Sequence, residues 1–154
     1  MGKPVKIGDV FELETNKGLA YIQYTHRNKL MGVLVRVLPG LYSDIPEDLS
    51  GIVEDHSLLR IFFPLQAAVN KNIVRLVANI PVPAGEIDFP VFRAPVKDLR
   101  NQEVVGWWLW DGESEWPIDR LSEEQMAYPV RTIVNDTKLI EDIIEVNGKH
   151  LHQQ

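Results

Sequence analysis

Residues 10–38 read VFELETNKGLAYIQYTHRNKLMGVLVRVL, and within them VFELET, LAYIQYTH and MGVLVRVL are rich in β-branched and aromatic residues. Such side chains suit a pleated, half-buried surface, and the intervening NKG and RNK suit tight hairpin turns. The stretch therefore predicts an antiparallel meander. Successive strand side chains point to opposite faces, so Leu19, Tyr21, Gln23 and Thr25 share one side and Ala20, Ile22 and Tyr24 the other. One face is expected to be core, holding Ile22 and Tyr24, and the other partly wet.

Outward from the meander, Pro39-Gly40 stops the third strand, and Ser43 to Asp55, with Pro46 and Gly51, reads as a long excursion. It carries Asp44, Glu47, Asp48, Glu54 and Asp55 without a base, and is expected to stay in water. Leu58 to Phe63, ended by Pro64, and Ile73 to Ile80 are short apolar runs read as strands; LQAAVNKN between them fits a helical turn or a strand. IPVPAGEIDFPVF carries Pro81, Pro83 and Pro90, which bring no backbone N–H, so it must follow an edge or the surface.

GWWLW and EWPI flank Asp111-Gly112 and predict a hairpin, because Gly accepts a positive φ at no steric cost. The alternation places Trp108 and Trp110 on one face and Trp107 with Leu109 on the other, so both faces need cover or present an aromatic patch. Ser122 and Gln125 have capping-box spacing, and Asp136 or Thr137 can cap a final helix. In that helix Leu139, Ile140, Ile143 and Ile144 form one stripe, with Asn147-Gly148 as its stop and a frayed tail beyond about residue 147. The expectation is a single domain over residues 1–154, α+β but mainly β. Its sheet would be strongly bent and antiparallel, or a partly open barrel, with a C-terminal amphipathic helix packed on it.

Composition narrows the function. A chain of 154 residues buries roughly two thirds of its extended surface on folding, enough for an unaided core. Without cysteine, disulfides, thiolate nucleophiles and sulfur-ligated zinc are excluded. No apolar run suggests a signal peptide or membrane span, so the expected compartment is the cytoplasm. A net charge of −6 opposes direct binding to nucleic-acid phosphates. Acid concentrates in the 44–55 stretch and in Asp111 to Glu124, which holds six acids against Arg120; each could attract a basic partner or simply be solvated.

No phosphate loop, HExxH, GxSxG or EF-hand pattern occurs. His26, His56, His150 and His152 are not placed for catalysis, and His150-x-His152 offers two ligands where a closed metal site needs more. The expectation is a binding protein rather than an enzyme, with neither cofactor nor metal. Asp111, Glu113 and Glu115 beside Trp108, Trp110 and Trp116 also have the furnishing of a sugar-binding or glycan-cleaving cleft, where an acid pair works beside stacking rings.

KIGDVFEL, GLAYIQY, FFP, VANIPV and WLWDGE, in this order and followed by a C-terminal helix, resemble the immunity protein 26 family. The similarity runs from Lys6 to about Val146. Two stretches depart from it: Tyr24-Thr25-His26 stands where the family carries a more glycine-rich strand, and VPAGEID is unusual. The resemblance implies an antitoxin of bacterial polymorphic toxin systems that binds and silences a cognate toxin domain, and it carries no catalytic residues. On that reading the acidic loops Asp44 to Asp55 and Asp111 to Glu115 would face a basic toxin such as a nuclease. The candidate contacts are Tyr42, Asp44, Glu47, Asp48, Trp108, Asp111, Glu113, Glu115 and Trp116.

Overall fold

The computed structural model describes residues 2–152, with side chains to residue 150. The protein is α+β and mainly β, with two antiparallel sheets of five and three strands and four helices; the larger sheet does not close into a barrel. The described residues form two compact units, one over Asp88–Thr132 and the other over the remainder.

In the larger unit the meander forms as expected: β1 (Asp9–Thr15), β2 (Gly18–Asn28) and β3 (Gly32–Val37) pair in succession. β4 (Leu59–Phe62) joins β3 and β5 (Arg75–Asn79) joins the far side of β1, giving the order β4-β3-β2-β1-β5. LQAAVNKN resolves to a helix, α2 (Leu65–Asn70), which follows α1 (Leu49–Glu54) in chain order. Asn72, left-handed at φ 59°, follows α2 and turns the chain toward β5, a conformation Asn tolerates better than most residues.

Phe11, Leu13, Ile22, Tyr24, Val35 and Val37 form one buried face of this sheet. They pack with Leu65 and Ala68 of α2 and with Leu139 and Ile143 of the C-terminal helix α4 (Asp136–His152). Burying an aliphatic side chain of this size stabilises by about 1.5–3 kcal/mol, so the stripe on α4 is enough to hold it on the sheet. Asn135, rather than Asp136 or Thr137, caps α4: its Oδ1 accepts the Lys138 N–H at 2.8 Å.

The helix also passes the expected stop at Asn147-Gly148 and reaches His152. Asn147 is buried; its side chain donates to Ile143 O and accepts from Gly40 N–H at 2.8 Å. That contact sets α4 against the end of β3.

The opposite face is buried as well, contrary to the expectation of a partly wet side. Val10, Tyr21 and Leu38 pack there with Val53 of α1, so the acidic excursion contains a helix with one inward residue. Gln23 and Arg36 share this face and are fully buried.

The smaller unit holds β6 (Phe92–Lys97), β7 (Val104–Trp110) and β8 (Glu115–Ile118), in the order β6-β7-β8. β7 and β8 are the expected hairpin, closed by Trp110 opposite Glu115 with residues 111–114 as the loop. Gly112 at φ 100° makes the turn, and a Cβ there would meet the Phe89 ring. β6 was obscured in the sequence by Pro95, which an edge strand tolerates. Ser122 and Gln125 form the expected capping box on α3 (Glu123–Met126).

Candidate functional site

Across the second buried face of the large sheet run two polar rows. Arg75 on β5, Glu12 on β1 and Tyr21 on β2 lie side by side in register. Arg75 pairs with Glu12 Oε1, and the Tyr21 hydroxyl donates to Glu12 Oε2 at 2.7 Å. Burial and the adjacent Glu12 carboxylate push the Tyr21 hydroxyl pKa well above its usual value, so it stays a donor throughout the physiological range.

The second row begins with Gln23 on β2. Its Oε1 accepts from Arg36 on β3, which also donates to Ser57 Oγ and to the carbonyls of Val53 and Asp55. Burial lowers the pKa of Arg36, and the Glu86 carboxylate, 4.0 Å from its Nε, opposes that shift. Glu86 lies in a 3-10 turn, Ala84–Glu86, within the proline-rich segment, and binds Arg60 at 2.8 and 2.9 Å. Burial alone would raise its pKa, but the Ser57 and Arg60 hydrogen bonds and the Arg60 and Arg36 charges bring it below the usual range. No described buried side-chain polar atom lacks a partner. This face is a fully hydrogen-bonded scaffold.

Beside the first row opens a groove of about 750 Å³. Glu12 and Glu14 of β1 line it with Asp44 of the acidic stretch, Arg75, and Asn72 at the turn into β5. Leu13, Leu19, Ile45, Ile73, Val74 and Ile140 supply its apolar surface. Asp44 thus joins two acids that the sequence reading did not single out. Their signal was available in FELET, where two acids on one strand face adjoin a hairpin turn.

The remaining candidates in this segment do varied work. Tyr42 is half-buried, with its ring edge-on to Tyr21 and its hydroxyl donating to Pro39 O at 2.9 Å. Its backbone forms an isolated bridge with Leu19, so it ties the acidic segment to β2. Asp48 caps α1 by accepting the Gly51 N–H at 2.9 Å, while Asp44 and Glu47 are exposed. Asp55 accepts both the backbone N–H and ring nitrogen of His56, which lower its pKa. The His56 ring in turn lies 5.3 Å from that of His150; the side chain of His152 is outside the described residues.

In the smaller unit, Asp111 Oδ1 accepts the N–H groups of Ser114 and Glu113, which pull its pKa down. It fixes the turn. Glu113 is exposed, and Glu115 pairs at 2.9 Å with Arg131, whose guanidinium sits 4.2 Å over the Trp110 ring. Trp110 itself is buried against Phe89 and Phe92. Trp108 and Trp116 are 38% and 39% exposed but project from opposite faces, because Trp116 pairs with Leu109 while Trp108 pairs with Pro117. They cannot form one stacking platform.

Among the described residues no helix is long and apolar enough to cross a membrane, and no three His, Asp or Glu side chains are placed to hold a metal ion. No protein-family model, curated protein or solved structure matches the chain.

Proposed function

We propose that this protein is an immunity-type inhibitor that binds and neutralises a cognate toxin domain, a basic nuclease being the kind of partner its charge suits. The observation that carries the reading is the groove where Glu14 and Asp44 stand in excess of the Glu12–Arg75 pair, beside the acidic 44–55 segment. A negative field over a recess steers a basic surface and speeds encounter. The polar rows behind the groove are fully bonded, so it can be presented without reorganisation, which limits the entropy cost of binding. A glycan-acting cleft on the β7–β8 hairpin receives less support, because Asp111 holds a turn and the exposed Trp rings face apart.

The test is coexpression with the toxin encoded beside the gene, followed by affinity capture of the pair. A stable complex and survival of toxin-expressing cells are expected. Failure of both complex formation and protection would end the proposal.

A further inference from the structure

The groove occupies a gap in the large sheet. β5 pairs with β1 from Asp9 to Glu12, and among the described residues no strand pairs with Leu13–Thr15 of β1 on that side. The backbone there is specifically aimed. Leu19 spends its N–H and C=O on Tyr42, at 2.7 and 2.9 Å, so it does not bond its cross-strand partner Glu14. In an antiparallel ladder this makes Glu14–Leu19 a non-hydrogen-bonded pair, and the N–H and C=O of Glu14 point away from β2, into the groove.

Three other edges offer less room for an added strand. β4 is flanked by Ile133 and β6 by Val130 through parallel bridges, and β8 is four residues long with Pro117 inside it. The gap beside Glu14 spans three residues, about 10 Å at roughly 3.3 Å per residue.

We infer that this gap accepts a short extended segment of the partner protein, added as a strand beside Leu13–Thr15 and carrying alternating basic and aliphatic side chains. The inference rests on the inhibitor reading. Alternation follows from the pleat: a strand here sends successive side chains to the two sheet faces. One side offers Glu14 and Asp44; the other offers Leu13 and Ile140 from the apolar core face. Arg75 offsets the charge of Glu12, with which it pairs, and leaves Glu14 and Asp44 as the excess negative charge of the groove. A second copy of the chain is a poor occupant, given its net charge of −6.

The probe is an end-blocked peptide of sequence TKVKVKT, titrated into isotope-labelled full-length protein and followed by backbone amide shifts. Two companion peptides replace Lys by Glu, or keep Lys and N-methylate alternate backbone amides. Saturable shifts at Glu14 and Ile140 are expected, weakened at least roughly tenfold by the Glu peptide and by Glu14→Lys, and lost with N-methylation. Urea midpoints establish that Glu14→Lys remains folded, and Asp44→Lys provides a second variant on a loop.

Absence of saturable shifts at residues 13–15 overturns the inference, as does equal binding of the methylated peptide, since charge alone would then suffice. Peptide-induced dimerisation, seen by sedimentation, also overturns it. Toxin protection by the wild type that survives both Lys substitutions defeats the groove while leaving the inhibitor reading intact. Specific peptide binding without any toxin complex does the reverse.

Discussion

On one face of the five-stranded sheet, Phe11, Leu13, Ile22 and Val35 meet Leu139 and Ile143 of α4 with hardly a polar atom between them. On the other, Arg36 lies equally far from water, among Gln23, Ser57, two backbone carbonyls and the Glu86 carboxylate. The first face depends on area and shape, and tolerates hydrophobic substitutions that keep volume. The second depends on complete hydrogen bonding, because each buried polar group left alone incurs its desolvation cost. Equal burial therefore conceals unequal fragility, and the more fragile face is the one beside the groove.

The largest expected effect tests that inequality. Arg36→Met should destabilise by roughly 3–5 kcal/mol, because it leaves Gln23 Oε1 and the Val53 and Asp55 carbonyls without their donor and takes one of two cations from Glu86, while the volume stays nearly filled. Leu139→Ala, on the apolar face, should cost about 2–5 kcal/mol through lost contact and cavity. The discriminating variant is Leu139→Met, expected to cost under about 1.5 kcal/mol. Urea unfolding measures all three. If Arg36→Met is as mild as Leu139→Met, the polar network is dispensable and the contrast fails.

Glu86→Gln gives a smaller effect with a pH signature. Its carboxyl titrates below the ordinary 4.5 when folded. A depressed carboxyl pKa adds stability that is fully present above the unfolded value and lost as pH falls through the folded one. The wild type should therefore lose this contribution below about pH 4.5. Glu86→Gln should be weaker by about 1–3 kcal/mol at neutral pH and show a shallower acid limb, whereas Leu139→Ala should lower the curve without changing its slope. An unchanged acid limb in Glu86→Gln would detach Glu86 from the network.

These two faces were not equally legible in sequence. The apolar one follows from alternation in LAYIQYT and the stripe on α4, both local patterns. The polar one left a single local trace: in VLVRVL, Arg36 sits between Leu34 and Leu38 on one side of the strand, and an inward charge must find partners. The partners themselves are distant in the chain. Glu86 lies in a segment read only as surface because of its prolines, and α1 hides one inward residue, Val53, in an acidic stretch. The groove was less legible still, since it depends on where β5 starts, and that is set by the left-handed turn at Asn72.

The smallest expected effects lie in the three-stranded sheet, where each face leaves one Trp exposed. Trp108→Ser and Trp116→Ser should each destabilise by about 1–2 kcal/mol, because over a third of each side chain already meets water. Their placement makes a sharper demand than their size. Side chains on opposite faces share no packing, so the double variant should equal the sum of the singles within roughly 0.3–0.5 kcal/mol. Thermal or urea unfolding of the four proteins closes the cycle. A larger coupling would mean that the two rings meet, which would restore the stacking platform and with it the glycan reading of Asp111 and Glu113.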